Sequence, residues 1–286
     1  MEALNIVKEV LTDKLIACLE LPIHSGPKGY DIILRMRLLL YGHLKGYLST
    51  RKLRKHLKKH PEVLRQLGFK TLPNRRTIDR WKKKLAEFMP KLIHRTGNSY
   101  LQQRGSEWTI LDSTPLEDEK DPDAKTGYTS KGKFKGFKLH MSCDESEVPL
   151  RAEFTTGNVH DSVKAEELLA PTPRTGGDSG YNAKRIKMAA KTKESKIVNA
   201  HNPRREGKDK KKKSPRILRK IRFIVEQCNS LIKNEVMLNA WKKVKGFAVK
   251  AFFALMAVFA MQAMALWNLK HYGYPSVRIK DRKSVV

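Results

Sequence analysis

The sequence predicts an all-helical N-terminal region followed by an α/β domain. Up to residue 95, apolar residues recur at three- and four-residue steps between helix caps, which is the pattern of packed helices. From residue 108 onward, short β-prone runs alternate with helical segments, which is typical of a sheet with helices on both faces. The chain has 286 residues, 40% of them hydrophobic, and is long enough for one large and one small domain. We place the helical domain at 1–95, the α/β domain at 105–272 with a short basic insert at 199–216, and a basic tail at 273–286.

Charge is distributed unevenly along the chain, whose formal net charge is +30. A surplus of this size predicts a polyanionic partner, with nucleic acid favoured over a membrane. Residues 1–100 hold 22 basic and 8 acidic residues, and residues 184–222 hold 17 and 3, whereas residues 107–170 hold 8 and 14. An acidic segment between two basic ones is expected where carboxylates bind a metal ion and the surrounding cations bind phosphates.

Several classes of protein are disfavoured. The three cysteines, Cys18, Cys143 and Cys228, form no CxxC pair, which argues against disulfides, structural zinc and thiolate catalysis and favours the cytoplasm. The N-terminus lacks the basic start and apolar run of a secretory signal. The one membrane-like stretch, 251–267, is short and is interrupted by Gln262, so we interpret it as a buried core helix and expect no membrane partner.

A basic helix at 77–89 ends the N-terminal region. Ser49 and Thr50 are caps for the preceding basic helix, and Thr77 is the expected cap of this one. Its core stripe comprises Ile78, Trp81, Leu85, Phe88 and Met89. Its cations are expected to face elsewhere: Arg80, Lys82, Lys83 and Lys84. Helix, turn and basic helix is the order of a helix-turn-helix reader, so we predict that these cations contact DNA.

Three strands are expected to open the α/β domain. The run 108–111 is β-prone and delivers Asp112 at its end, with Pro115 marking a turn. The acidic stretch 117–127 is predicted to be a loop with solvated carboxylates, since their spacing fits no calcium loop. Strands at 133–144 and 148–157 then form a hairpin around a polar turn at 144–147.

Helices and strands alternate after this hairpin. We expect a helix at 160–169 capped by Asp161, Asp178 at the exit of a strand beside two glycines, a helix at 182–191 and a strand at 196–200. With a final helix, the order is three strands, helix, strand, helix, strand, helix, which matches a ribonuclease H-like fold with a mixed sheet. Asp178 then lies at the edge where α/β sheets place their ligands.

The final helix, within 215–238, has two dissimilar sides. One side is apolar and is expected to be buried through Ile217, Leu218, Ile221, Ile224, Val225, Leu231, Ile232 and Val236. The other side carries a polar stripe at helical spacing, made of Arg219, Arg222, Glu226, Ser230 and Lys233. Such a stripe would usually be a solvated face, and only the carboxylates elsewhere in the chain favour a functional interpretation.

Asp112, Asp178 and Glu226 would converge at one rim if this sheet forms. Carboxylates are hard oxygen ligands that suit Mg²⁺, with Mn²⁺ as a substitute. Two such ions can activate an attacking oxygen and stabilise a leaving one in a displacement at phosphorus. Arg222 and Lys233 are then placed to bind the flanking phosphates.

Four segments resemble bacterial and archaeal insertion-sequence transposases with an Asp-Asp-Glu (DDE) triad, namely LDST at 111–114, GNVHDS at 157–162, GDSGY at 177–181 and KIRFIVEQCNSLIK at 220–233. The last helix of such transposases carries a spaced Tyr-Arg-Glu-Lys signature. Arg222, Glu226 and Lys233 match this signature, whereas Arg219 stands where Tyr is expected.

The resemblance implies an enzyme whose catalytic residues, Asp112, Asp178 and Glu226, bind two Mg²⁺ ions. It further implies cleavage of double-stranded DNA at terminal inverted repeats and transfer of the 3′-OH ends into target DNA. Because such an enzyme acts on two ends in one assembly, we expect a homodimer in the cytoplasm, associated with the nucleoid.

Further residues and two other functions stay open at this point. The basic insert is predicted to contact the DNA backbone, together with Arg219 of the final helix, through Arg204, Arg205, Lys211 and Lys212. His160 is either a neighbour of the site or part of a helix cap, and His140 is expected to be structural. The alternatives are a catalytically inactive DNA-binding protein derived from such an element, and a nuclease with the same fold.

Overall fold

The computed structural model describes residues 2–17, 29–129, 132–200, 216–237 and 240–277. Within them, the chain forms two compact units. The helical unit consists of the described residues of 1–96, 232–244 and 248–277, and the α/β unit of those of 97–231 and 245–247. The predicted fold class, a mixed sheet flanked by helices and preceded by a helical region, is confirmed. Residues 248–277, which the prediction assigned mostly to the α/β domain, group instead with the N-terminal helices.

The α-helices of the described residues are α1 (Glu2–Val10), α2 (Asp13–Ile16), α3 (Ile32–Leu44), α4 (Thr50–Lys59), α5 (Pro61–Gln66), α6 (Arg75–Leu85), α7 (Met89–Arg104), α8 (Ala165–Leu168), α9 (Lys184–Thr192), α10 (Ile217–Ser230) and α11 (Phe247–Tyr272). The strands are β1 (Trp108–Glu117), β2 (Lys125–Thr129), β3 (Gly132–Cys143), β4 (Pro149–Thr156), β5 (Arg174–Gly177) and β6 (Lys196–Asn199). The predicted strands are present, and β2 is an additional strand. The helix predicted at 160–169 is instead a 3-10 turn, Asp161–Val163, followed by the four-residue α8.

Helix α6 starts three residues earlier than the sequence suggested. Its cap is Asn74, whose side chain accepts a hydrogen bond from the backbone N–H of Arg76 at 3.0 Å. The prediction of Thr77 as the cap was wrong, because an Asn at the end of the preceding turn satisfies the first free N–H groups equally well. The predicted core stripe is confirmed at Ile78 and Trp81, which are both buried.

Helix α11 is the one helix of the described residues that is long and apolar enough to cross a membrane. A buried core helix passes the same test, and 89% of its most apolar window is buried. Within the helical unit, the rings of Phe252 and Phe253 pack against His43, and the side-chain amide of Gln262 donates to the carbonyl of Ile93 at 3.0 Å. These contacts agree with the prediction of a core helix. Gln262 fits into this core because its side-chain amide donates a hydrogen bond.

The α/β unit is built on one six-stranded mixed sheet. The strand order is β2-β3-β1-β5-β6, and β4 pairs with β3 outside this path. Strand β1 pairs antiparallel with β3 and parallel with β5, and β5 pairs parallel with β6. The parallel strands β1, β5 and β6 therefore run in the same direction, and β5 ends one residue after its Ile110↔Gly176 pair with β1.

Strand β1 is longer than predicted and continues through Pro115 to Glu117. The prediction that Asp112 ends the strand was wrong, because pairing with β3 from Asp112↔Met141 to Glu117↔Gly136 extends β1 past its β-prone residues. The loop predicted at 117–127 contains the start of β2, which pairs with β3 at the edge of the sheet. Local sequence does not show such extensions, since tertiary pairing decides them.

Helices cover both faces of this sheet. On one face, Leu111 packs in a buried cluster with Leu168, Tyr181 and Ile186, from α8, α9 and the turn before α9. On the other face α10 lies so close that a Cβ at Gly176 of β5 would collide with the side chain of Ile221. Gly176 thus allows α10 and β5 to approach each other.

The acidic stretch between β1 and β2 forms a cap for α11. Asp121 is 1% exposed and accepts a hydrogen bond from the N–H of Gly246 at 2.9 Å, and Asp123 accepts one from Phe247 at 2.8 Å. The prediction that the carboxylates of this stretch are all solvated was therefore wrong. Carboxylates at a helix N-terminus satisfy its free N–H groups and its positive dipole, and neither feature is visible in the local sequence.

Candidate active site

Asp112 and Asp178 lie at equivalent positions on neighbouring parallel strands. The last paired residues of β1 and β5 are Ile110↔Gly176, and the two aspartates each follow two residues later. Asp178 directly follows β5 and caps the turn Ser179–Tyr181 by accepting the N–H of Gly180 at 2.8 Å. The sheet register thus brings both carboxylates to the rim where the parallel strands separate.

Helix α10 adds Glu226 and Asn229 to this rim. The amide of Asn229 donates to Asp112 Oδ2 at 2.8 Å, and Asn229 is 6% exposed, so one orientation of the Asp112 carboxylate is held in place. Glu226, one turn earlier, is exposed and lies 3.7 Å from Arg222. An exposed pair of this kind contributes little to stability, so both side chains can exchange partners easily.

The carboxyl of Asp112 carries the clearest electrostatic signature of the site. Its pKa is raised from 3.8 to about 7, mainly by burial and in addition by the negative charges of Asp178, Asp161 and Glu226. The other three carboxyl groups are therefore close enough to act on that of Asp112. Such a concentration of negative charge around a half-buried carboxyl is typical of functional sites.

Asp161 also belongs to this cluster, although the sequence analysis assigned it only the role of a helix cap. It was predicted to cap a helix, but the Nδ1 of His160 takes the cap position by accepting the N–H of Ser162 at 3.2 Å. Asp161 instead accepts a hydrogen bond from the buried Lys138 at 2.9 Å. The motif GNVHDS contained the signal, since either of its two adjacent polar residues can cap the following turn.

Two buried rings flank the cluster. Tyr181 is 1% exposed, and burial and the negative charges of Asp161, Asp112 and Asp178 raise its pKa. His140 is fully buried beside Thr155 at 2.8 Å, and burial lowers its pKa to about 4, which agrees with its predicted structural role. Tyr181 belongs to the GDSGY segment, but only the fold shows that it lies near these carboxylates.

The donor set fits a hard divalent cation in its chemistry. Asp112, Asp178 and Glu226 are oxygen donors, and their mutual repulsion is what a cation would relieve. Within the described ranges, no three His, Cys, Asp or Glu side chains stand close enough to hold a metal ion. Movement of the exposed Glu226 side chain would therefore have to complete such a site.

The predicted polar stripe on α10 does not extend as one regular helix. Arg219, Arg222 and Glu226 are exposed on α10, but the α-helix ends at Ser230 and a π-helical segment, Leu231–Val236, contains Lys233. Ser230 is exposed at the end of α10, as the stripe predicts, but the placement of Lys233 on the same α-helical stripe was wrong, because a π turn holds more residues than an α turn. Ile217, predicted to be buried, is 40% exposed.

A basic cavity in the helical unit contains two of the predicted DNA contacts. It has a volume of about 580 Å³ and lies at the start of α6. Its lining comprises Asn74, Arg75, Arg76, Asp79, Arg80 and Lys83. Lys84 is exposed as well. The four cations predicted in the insert, Arg204, Arg205, Lys211 and Lys212, lie outside the described residues.

Lys82 does not belong to this exposed surface. It is 5% exposed, donates to the carbonyl of Leu48 at 3.2 Å and to Thr50 Oγ1 at 2.9 Å, and lies over the ring of Phe253. The prediction that Lys82 contacts DNA was wrong, because it follows Trp81 on the side of α6 that faces the core. Burial lowers its pKa from 10.5 to about 8.

Replacing Lys82 by Met should change stability rather than DNA binding. Between about pH 8 and 10.5 the unfolded state binds the proton that folded Lys82 has released, so the stability of the wild type rises with pH relative to Lys82→Met. Chemical unfolding of both proteins across this range measures the difference. Lys83→Met is the matched control, since Lys83 is exposed in the basic cavity and its loss should weaken DNA binding. A similar loss of DNA binding in both variants would contradict the burial of Lys82.

Comparison with known families agrees with this arrangement. Residues 103–261, more than half of the chain, match the family described as Transposase DDE domain, and residues 4–84 match the family described as Transposase domain (DUF772). No curated protein is similar enough to the chain to add to these matches. The DDE domain implies a ribonuclease H-like fold, in agreement with the mixed sheet, and an enzyme that acts on DNA. Because both of these stretches match transposase domains, the chain belongs to the DDE transposases.

Proposed function

We propose that this transposase cleaves DNA at the inverted-repeat ends of an insertion sequence and transfers the 3′-OH ends into target DNA. The observation that carries the proposal is the grouping of Asp178 and Glu226 around Asp112, whose pKa they raise. The retained carboxylates favour an active enzyme over an inactive DNA-binding derivative, which would have no need of such a repulsive cluster.

In this proposal Asp112, Asp178 and Glu226 would hold two Mg²⁺ or Mn²⁺ ions. Bound there, the ions would supply Lewis-acid activation of the attacking oxygen and stabilisation of the leaving one. Asn229 fixes one carboxylate oxygen of Asp112 by a hydrogen bond of 2.8 Å. Lys138 Nζ lies 2.9 Å from Asp161 Oδ1. This positive charge would reduce the electrostatic repulsion between Asp161 and Asp112.

The cations of the chain would bind the DNA backbone. Arg219 and Arg222 are exposed on the two turns of α10 that precede Glu226, and guanidinium groups bind phosphate through two parallel hydrogen bonds. Arg80 and Lys83 line the basic cavity of the helical unit, which would contact the terminal repeat. Two copies of the chain would hold the two ends of one element.

Metal affinity should depend on the protonation of Asp112. Because its pKa is about 7 in the metal-free protein, a proton competes with the cation below that pH. We expect Mn²⁺ binding, measured by calorimetry, to strengthen as the pH rises through about 7. The metal-free protein should lose stability as the pH rises from about 4 to 7. In this range Asp112 is already deprotonated in the unfolded state but still binds a proton in the folded state, so a rising pH favours unfolding. A pH-independent affinity would contradict the role of Asp112 as a ligand.

A strand-transfer assay tests the proposed reaction. Duplexes would carry the DNA that flanks the coding sequence, with a label on one strand, and would be incubated with a supercoiled target plasmid and Mg²⁺ or Mn²⁺. Cleavage at a fixed position followed by joining of the labelled 3′ end to the plasmid is the expected result. Cleavage without joining would support a nuclease, and binding without cleavage would support an inactive derivative.

A further inference from the structure

The hairpin of β2 and β3 extends the sheet beyond the candidate active site. Strand β3 lies opposite Asp112 at Met141 and continues past the end of β1 to pair with β2 between Gly136 and Gly132. Lys133 is eight residues from Met141, so the hairpin reaches about 26 Å from Asp112 at 3.3 Å per residue. It leaves the sheet in the direction in which β1 ends.

The sheet register places four exposed side chains on the same face as Asp112. Side chains alternate along a strand, and residues directly opposite each other share a face. Lys133 and Lys135 are even numbers of residues from Met141, and their partners on β2 are Tyr128 and Thr126. We call these four residues, Thr126, Tyr128, Lys133 and Lys135, the hairpin row. All four are exposed, Tyr128 at 71%.

The hairpin that carries this row is fixed to the rest of the sheet. Phe134, on the opposite face, is 7% exposed. Gly127 lies so close to the backbone of Gly157 that a Cβ there would collide with its carbonyl oxygen. The backbone beneath the hairpin row is therefore held in one arrangement.

The chemistry of the hairpin row is that of a phosphate-binding surface. It offers two ammonium groups and two hydroxyl groups and contains no carboxylate, and these are the side-chain types that contact the DNA backbone. The row also differs from its surroundings, since residues 107–170 hold 14 acidic and 8 basic residues. Its positive charge is thus local and does not merely reflect the charge of the whole chain.

We propose that the hairpin row binds the backbone of the duplex arm that leaves the active site, about eight base pairs from the cleaved bond. The distance follows from about 26 Å of strand and about 3.4 Å of duplex per base pair. This inference rests on the proposed function, because it takes the cleaved phosphate to lie at Asp112. The row then sets how much flanking duplex the enzyme engages.

The test compares Lys133→Glu/Lys135→Glu with the matched control Lys125→Glu. Lys125 is exposed on the same hairpin but pairs with Gly136, which places it on the opposite face. Binding of the full chain to element-end duplexes would be measured by fluorescence anisotropy without divalent cations, while each arm is shortened in turn. Tyr128→Ala and Tyr128→Phe test the ring and the hydroxyl separately.

The double variant should bind long duplexes roughly tenfold more weakly and lower the salt dependence of binding by about two counterions. When one arm of the duplex is shorter than about eight base pairs, the double variant and the wild type should bind with the same affinity. Equal loss in Lys125→Glu, equal loss on every duplex length, or a change of oligomeric state without a change in DNA binding would overturn the inference. Binding is read without cleavage, so wild type that binds but never cuts would count against the proposed function alone.

Discussion

Glu226→Gln should lower the rate of DNA cleavage by about a thousandfold or more while leaving DNA binding nearly unchanged. The amide keeps the size of the side chain but removes the charge that a divalent cation needs, and loss of a charged ligand removes electrostatic stabilisation from the transition state. Asp112→Asn and Asp178→Asn should behave in the same way. Single-turnover cleavage of a labelled element end measures the rate, and anisotropy measures binding.

The control for this series lies on the same helix. Glu226 and Arg222 are 3.7 Å apart, and both are exposed. Arg222→Gln should weaken binding of the cleaved DNA without abolishing cleavage at saturating enzyme, because it removes a phosphate contact and not a ligand. Cleavage by Glu226→Gln at the wild-type rate in Mg²⁺ would contradict the assignment of the third carboxylate.

Gly97→Ala should destabilise the protein by roughly 3 kcal/mol, at the upper end of the cost of overpacking. Helix propensity alone predicts the opposite, since Ala is favoured over Gly inside a helix by about 1 kcal/mol. Sterics decide here, because a Cβ on Gly97 of α7 would lie well inside van der Waals contact with the carbonyl oxygen of Leu150 on β4. Backbone atoms on both sides leave little room for relaxation.

Urea unfolding of Gly97→Ala and of Gln102→Ala measures this effect. Gln102 is exposed on the same helix, so its substitution changes helix propensity without a collision and should alter stability by less than about 0.5 kcal/mol. If Gly97→Ala were as stable as wild type, then α7 would not lie against β4 as closely as the structure has it.

The sequence predicted those parts of the α/β unit that periodicity encodes. The β3–β4 hairpin, α9, β6 and the buried side of α10 follow from alternation and helical spacing, and they appear in the structure. The position of Asp112 at the rim of the sheet followed from the predicted order of the strands. Strand β2 and the extension of β1 were missed, because neither acidic turn residues nor Pro115 favour a strand until β3 pairs with them.

The site was less predictable where one residue type can serve two roles. Lys82 and Lys83 are indistinguishable in sequence, yet one is buried and the other is exposed. His160 and Asp161 are both good caps, and only the position of Lys138 shows which one faces the carboxylates. The contact of Asn229 with Asp112 joins residues 117 positions apart and has no local signal at all.

The cap that the acidic stretch provides for α11 makes the α/β unit discontinuous along the chain. A polypeptide cut after residue 231 would keep the sheet and the carboxylates but would lack Lys245–Phe247, which belong to the same unit. The carboxylates of Asp121 and Asp123 would then lose their hydrogen bonds from the N–H groups of Gly246 and Phe247. Truncation after residue 231 would therefore lower the stability of the α/β unit itself. A minimal α/β unit has to include Lys245–Phe247 as well as residues 97–231.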